Sequence, residues 1–470
     1  MPATAPLLPD RVARWDWGVL AVLVVLRLVL IAAVAGAPEK MLMGDSLGYE
    51  GLALGMLEDG RYEDAHGNPL TALSRPPGYP ALIAATYAVF GRHLVAPVLW
   101  NVLGTALTYL ALLALLRRLA VPRPSRLVGL AFGLDLAWLL YAKELTTEPT
   151  FTPLVLGALL LAIDGARARE ARGALGRFAG AGAAIGLAAL VKPIALYLPA
   201  VVAGWAGVVA WREHGAGRGL AGALALTLGA ALLVGPWMAY NAERWGTPTF
   251  TRLQSDNLLF GHAAFVEADR LGLTHLEAKS LLFDRLERRL GASLAPGAPP
   301  VDAERLDAVK GALAREVLAG SPALYLRALL RGAAVTFLDP GRLVLARTFG
   351  GDTSIGLTNT LAREGLIGTA RRVLEESPGT VLAMALYGAF LAAVLALALL
   401  GLPGAFRADV AVAALLFLTA AYLVALGGPH GYARFRLYVF PFELAALHFG
   451  VRAVQARWRT RVGRLPRAPT

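Results

Sequence analysis

The sequence predicts an all-α integral membrane protein with about ten transmembrane helices, or eleven if residues 322–345 also span. Two observations carry this. The first is composition: 57% of the 470 residues are hydrophobic, 17% are charged and the mean hydropathy is +0.57. An average soluble domain is roughly 45–50% apolar and about 25% charged. The second is that the apolar residues are gathered into runs, most of which approach the ~20 residues a helix needs to cross the hydrocarbon. Together they exclude a disordered chain, a coiled coil and an ordinary soluble enzyme. The net charge of +12 comes from arginines in the short gaps between runs. That is a topology signal, and no nucleic-acid partner is expected. With no cysteine there is no disulfide, zinc–thiolate site or thiol nucleophile.

The first run, Trp17 to Ala37, is longer than the apolar core of a signal peptide, about 7–15 residues, and reads as a retained transmembrane helix. The others are 95–116, 124–142, 147–163, 177–191, 194–211, 219–240, 379–401, 409–427 and 436–453. One orientation puts every basic cluster inside: Arg11 and Arg14; Arg117, Arg118, Arg123 and Arg126; Arg167, Arg169, Arg172 and Arg177; Arg212, Arg218 and Arg407; and a tail with Arg452, Arg457, Arg459, Arg461, Arg464 and Arg467. Both termini are then cytoplasmic. Counting 322–345 as a span would move that tail outside, and Arg327 and Arg331 interrupt the run. It reads as an amphipathic helix at the outer interface. The whole chain, 1–470, is one polytopic domain with two long outside segments, 38–94 and 242–378. The second holds amphipathic helices at Phe265–Leu290 and Ala303–Leu318, joined by a loop at 296–300.

Chemistry gathers at the outer ends of the spans. Asp45, in Gly44-Asp45-Ser46-Leu47-Gly48-Tyr49, follows the first span closely. It suits a general base or a divalent-ion ligand, and equally a helix N-cap. Ser74-Arg75-Pro76-Pro77-Gly78-Tyr79-Pro80 is a stiff turn that either aims Arg75 at an anion or leaves it solvated. Lys143 and Glu148 flank the start of a helix at Glu148-Pro149, where a glutamate is also favoured by the helix dipole. Lys192 precedes Pro193. Arg434 and Arg436 fall outside against the charge rule, which fits fork-shaped recognition of a lipid-linked phosphate or contact with lipid headgroups. Tyr49 and Tyr79 are supporting candidates. Arg27 and Asp135 lie within spans and are expected to be buried, paired or snorkelling. His262 and His275 are expected to be solvated or satisfied.

On these residues the sequence resembles the GT-C superfamily of polytopic glycosyltransferases, in its bacterial family 39-like branch, related to protein O-mannosyltransferases and lipid A aminoarabinose transferases. The resemblance rests on GDSLGYE followed by SRPPGYPALIAATYAVFG, on Thr147-Glu148-Pro149, on Leu190-Val191-Lys192-Pro193, on Gly235-Pro236-Trp237 with Asn241, and on Ala433-Arg434-Phe435-Arg436-Leu437 with Pro441-Phe442. It implies a GT-C fold and inverting transfer of a hexosyl or pentosyl group from a polyprenyl-phosphate-sugar donor to a lipid, glycan or protein acceptor. Asp45 would be the general base, and Arg75, Lys192, Arg434 and Arg436 would hold the donor phosphate. Placement in a bacterial inner membrane, among its lipids and with the active site on the periplasmic or extracellular side, follows from the same likeness. Relatives often carry two adjacent acids in the first loop, whereas here Asp45 is followed by Ser46. A divalent ion (Mg, Mn or Zn) would have to use Asp45 and Glu148. The rival reading is a transporter or flippase of a lipid-linked substrate, which calls for midplane polar groups and inverted repeats.

Overall fold

The structure, a computed structural model, describes residues 13–67, 70–121, 123–295, 301–349, 367–368, 371 and 378–462. No strand occurs among the described residues. The helices are α1 (Arg14–Val34), α2 (Ser46–Leu54), α3 (Leu70–Ser74), α4 (Gly78–Phe90), α5 (Val95–Arg118), α6 (Arg126–Leu134), α7 (Leu136–Leu140), α8 (Glu148–Ala166), α9 (Ala171–Val191), α10 (Leu198–His214) and α11 (Ala216–Trp245). An insert follows, with α12 (Leu253–Asp256), α13 (Ala264–Leu271), α14 (His275–Leu290), α15 (Ala303–Gly320), α16 (Pro322–Leu338) and α17 (Arg342–Phe349). Then come α18 (Pro378–Ala408), α19 (Val410–Gly427) and α20 (Ala433–Val462).

Nine of these, among the described residues, are long and apolar enough to cross a membrane: α1, α5, α8, α9, α10, α11, α18, α19 and α20. In α8 and α20, 72% and 78% of the most apolar stretch is buried, against 22% in α1, α11 and α18, so the first two are central and the last three face outward. The outward surface carries Val22, Val25 and Val29 on α1 and Leu220, Leu224, Leu228 and Leu232 on α11, all exposed. A continuous apolar belt of this kind suits lipid rather than water. Inside the bundle, α9 and α11 meet backbone to backbone. A Cβ at Gly182 would lie 1.9 Å from the Leu226 carbonyl oxygen, and one at Gly229 would lie 2.2 Å from that of Ala179. Small residues at such crossings replace the hydrophobic drive that lipid removes.

Ion pairs define the two ends of the bundle. At one, Arg118 closes on Asp164 at 2.7 Å, and Arg167 on Asp409 at 2.5 Å. This end holds the arginine-rich gaps. At the other, Asp45, Glu148, Lys192 and Arg434 meet. The chain therefore has to return between Arg118 and Glu144. The expected run over 124–142 is broken there into α6 and α7, so among the described residues the ten expected passages are nine continuous helices and one interrupted one. Asp135 adopts an extended backbone (ψ 108°) and caps α7 by accepting from the Trp138 amide at 2.8 Å. A short carboxylate that bonds its own backbone stops one helix and starts the next.

The insert corrects a second expectation. Phe265–Leu290 is two helices, split where Gly272 turns left-handed (φ 68°) and Thr274 and Glu277 form a capping box. Its leucines are not simply amphipathic faces toward water. Leu259, Val266, Leu282, Leu286, Leu313 and Val317 form a small core of their own. The loop expected at 296–300 lies outside the described residues. Of the run 322–345, expected to be an amphipathic helix, Pro322–Leu338 forms α16, which stops at the C-cap Asp339. Its anchors all lie at the Asp45 end: Tyr325 to His262 (2.9 Å), Arg331 to Asp269 (3.0 Å), and Gly332 against the 428–429 backbone.

Three histidines clamp the insert onto the turn before α20. His275 stacks on Phe265 at 3.9 Å, and His430 packs edge-on against both. Burial pushes His262 and His275 down to about 4 and His430 down to about 3, so all three are neutral at pH 7. A histidine kept neutral by burial contributes its full stability above its unfolded pKa near 6.5, and loses it as pH falls through the folded value. Hydrogen exchange corrected for intrinsic pH dependence should therefore show protection of residues 257–331 falling selectively as pH drops from about 6.5 to about 4, with α8 and α9 unchanged. Constant protection of the insert across that window would count against the clamp.

Candidate active site

Asp45 sits at the N-cap position of α2, yet its side chain makes no capping bond. The turn is held instead by Ser46, whose hydroxyl accepts from the Met43 amide (2.9 Å) and donates to the Leu145 carbonyl (2.8 Å). The Leu145 amide donates in turn to the Met41 carbonyl at 2.8 Å. The two junctions are thus stitched together, and the Asp45 carboxylate is left for other partners. Arg75 Nη2 donates to one of its oxygens at 3.0 Å, and Arg434 Nη1 to the other at 2.7 Å. Burial pushes this carboxyl up, but the Arg434 and Arg75 guanidiniums win and hold it well below the usual carboxylate range. Its side chain remains 43% exposed, while Glu148 is fully buried.

Glu148 opens α8 and is more than a dipole-favoured first-turn acid. One oxygen accepts from Lys192 Nζ at 2.8 Å and from Arg434 Nε at 2.6 Å, and the other accepts from the Thr146 hydroxyl. Burial pulls the Lys192 ammonium down, and the Glu148 carboxylate offsets part of that. Arg434 bridges both acids with one guanidinium. Arg75 also lies over the Tyr49 ring at 4.3 Å, and Tyr79 meets Tyr49 edge-on at 5.1 Å. The Arg75 turn is mounted by close contact: a Cβ at Gly78 would lie 2.7 Å from the Leu190 backbone, so α4 starts directly against the end of α9 that carries Lys192.

Asp45, Arg75, Lys192, Arg434, Glu148, Tyr49 and Tyr79 therefore converge. Arg436 and Lys143 do not. Residues two apart do not share a helix face, and Arg436 points into the bundle. There it pairs with Asp135 at 2.9 Å and donates to the Asp339 carbonyl at 2.7 Å and the Tyr387 hydroxyl at 3.0 Å. Lys143 is buried in a second cluster, donating to the Lys40 carbonyl at 2.8 Å beside Glu144. Glu144 receives a fork from Arg347 at 3.1 and 3.0 Å. The expected metal pair fails on its chemistry. Asp45 is already engaged by Arg75 and Arg434 and Glu148 by Lys192 and Arg434, with the Arg434 guanidinium between the two acids, and among the described residues no group of three or more His, Cys, Asp or Glu is placed to hold a metal ion. His262 and His275 are satisfied by Tyr325 and by the Phe260 carbonyl.

The sequence reading missed Asp339. Its carboxylate accepts from the Ala433 amide at 2.8 Å and from the Gly341 amide at 2.9 Å, capping α20 from another part of the chain just before Arg434. Asp339-Pro340-Gly341 is a turn signal, but its partner 94 residues away leaves no local trace. Asn101, which donates to the Ala142 and Glu144 carbonyls at 3.1 and 2.7 Å, was missed for the same reason.

Residues 74–239 match the family described as dolichyl-phosphate-mannose-protein mannosyltransferase, a stretch that contains Arg75, Glu148 and Lys192. The likeness to the GT-C superfamily holds. Among solved structures, the apo oligosaccharyltransferase of Archaeoglobus fulgidus shares the fold at 14% identity and a TM-score of 0.50, over 97% of this chain and 52% of that one. ArnT from Cupriavidus metallidurans bound to undecaprenyl phosphate matches at 18% identity over 97% of this chain and 82% of that one, with a TM-score of 0.38. No curated protein matches the chain.

Replacing Glu148 by Gln leaves Lys192 buried without its counter-charge and Arg434 with Asp45 alone. It should cost about 3–5 kcal/mol, the usual penalty for breaking a buried pair from one side. Asp339→Ala removes a cap and should cost about 1 kcal/mol. Thermal unfolding of the two variants in the same lipid should rank them in that order.

Proposed function

We propose that the protein transfers a sugar from a polyprenyl-phosphate-linked donor to an acceptor at the outer face of a bacterial inner membrane, with inversion and with Asp45 as general base. The observation that carries this is the convergence of Arg75, Lys192 and Arg434 beside a carboxylate that is still partly open. The family match over 74–239 supports lipid-linked glycosyl transfer in general. The arginine-rich end of the bundle supports cytoplasmic termini by the charge rule, which puts the site on the periplasmic or extracellular side.

The resting geometry constrains the mechanism. A carboxylate gripped by two guanidiniums is a weak base. The donor phosphate competes for the same guanidiniums, so its arrival is what releases Asp45 toward ordinary basicity. Asp45 then takes the proton of the acceptor hydroxyl or amine as that atom bonds to sugar C1. The C1–O bond to phosphate breaks, and its electron pair leaves on the polyprenyl phosphate, which Arg75, Arg434 and Lys192 neutralise.

Purified protein in nanodiscs, offered polyprenyl-phosphate sugars and membrane extract as acceptor, should release polyprenyl phosphate. Asp45→Asn should lower transfer by about 10²–10⁴-fold while binding polyprenyl phosphate as tightly as wild type or more so, because Arg75 and Arg434 are freed. Arg75→Gln should mainly weaken donor binding. Normal turnover by Asp45→Asn would sink the general-base assignment, and weakened donor binding in it would sink the competition.

A further inference from the structure

Beside the cation cluster, at the same end of the bundle, lies a cavity of about 600 Å³ lined by Met56, Arg61, Tyr62, Glu63, Tyr240 and Arg244. One wall is the turn after α2, where Gly60 adopts φ 64°. The other is the last part of α11. An ion pair joins the walls, Arg244 Nη2 to Glu63 Oε1 at 2.7 Å, with both side chains about half exposed. Aromatic rings back it: Tyr62 lies edge-on to Trp237 at 5.1 Å, and Trp237 stacks on Tyr240 at 5.4 Å and 17°. Arg244 also lies over the Trp245 ring at 4.7 Å. The cavity is coupled to the site through one hydrogen bond, since the Tyr62 hydroxyl donates to the Arg75 carbonyl at 2.7 Å.

We infer that this cavity is a saccharide-binding subsite and holds the sugar ring of the acceptor. The inference rests on the transferase reading for the word acceptor, but not for the word saccharide. A sugar ring offers a face of C–H groups and an edge of hydroxyls. The face suits a flat aromatic wall such as Tyr240, and the edge suits a planar donor paired with a planar acceptor, as in Arg244 and Glu63. A bare cation would face Arg61 and Arg244, and a bare phosphate would face Glu63. The volume lies within the roughly 300–1,000 Å³ of small-molecule sites. The polyprenyl phosphate belongs with Arg75, Lys192 and Arg434, so this separate cavity is assigned to the acceptor.

The test measures binding without transfer. Wild type, Tyr240→Ala and Glu63→Gln in nanodiscs, free of glycoside detergent, are titrated with neutral and uronic methyl glycosides and with long-chain alkyl glycosides. The readout is tryptophan fluorescence, since Trp237 and Trp245 adjoin the cavity. Undecaprenyl phosphate binding is measured in parallel. Saturable binding of at least one saccharide is expected, weakened about tenfold or more in both variants, with undecaprenyl phosphate binding unchanged. If free and alkyl glycosides bind alike, the acceptor is a glycan. If only the alkyl forms bind, it is a glycolipid. The inference is overturned by the absence of a saturable saccharide response, or by a response that both variants leave intact. Loss of undecaprenyl phosphate binding in Tyr240→Ala also overturns it, by giving the cavity to the donor. None of these results bears on whether wild type releases polyprenyl phosphate, so the two readings fail separately.

Discussion

The Asp45 end of the bundle is organised around the fully buried carboxylate of Glu148. A buried charge is expensive unless paired and hydrogen-bonded, and here the pairing comes from distant parts of the chain: Lys192 at the end of α9, Arg434 at the start of α20, and the neighbouring Thr146. Removing the Glu148 carboxylate would leave Lys192 without its counter-charge and Arg434 with Asp45 alone. The helices α8, α9 and α20 are therefore fixed at this end by charge as well as by packing. With Nε on Glu148, Arg434 uses Nη1 to fix Asp45.

The scaffold around this hub divides labour between backbone and side chains. The Ser46 hydroxyl and the Leu145–Met41 backbone bond tie the 38–46 loop to the 142–148 junction, and the Asn101 side-chain amide ties that junction to α5. That leaves the charged side chains of the site free of structural duty except toward one another. Asp339 caps α20 and sets the helix start on which Arg434 rides. The pair Asp135–Arg436 lies deeper and serves a different end. Asp135 breaks the passage between α5 and α8, and the break is tolerable because Arg436 and the Trp138 amide satisfy both carboxylate oxygens.

Most of the spans were legible because a run of about twenty apolar residues has few alternatives, and the basic clusters sort the two ends without a partner being known. Asp45, Arg75, Glu148, Lys192 and Arg434 were legible because charge at the edge of an apolar run has to find a reason. Arg436 looked identical to Arg434 on that criterion. Only helical phase separates them, and phase shows which face a residue takes without showing what lies there. Asp135 was visible as a buried acid, but its power to break a helix depended on Arg436, 301 positions away. The split at Gly272 was written locally, in Gly-Leu-Thr-His-Leu-Glu, and the leucine periodicity on either side concealed it.

The charge balance of the cluster explains how it could handle a phosphate without a further cation. Arg75, Lys192 and Arg434 against Asp45 and Glu148 leave three minus two, a resting charge of +1. A polyprenyl-phosphate sugar is a phosphodiester and brings one negative charge, so the loaded site is neutral with both acids ionised. When the glycosidic bond to phosphate breaks, the departing monoester gains a second negative charge. If Asp45 takes the acceptor proton in the same step, it loses one. The site is neutral again, with three positive charges against Glu148 and a dianion. On the proposed mechanism, proton uptake by Asp45 and charge growth on the leaving group cancel within one cluster, joined by the guanidinium of Arg434. That is a physical reason for a base and a phosphate to compete for the same arginine. In a partly buried site, where unbalanced charge is costly, the acid that shares an arginine with the phosphate is the one whose neutralisation best offsets the phosphate's new charge.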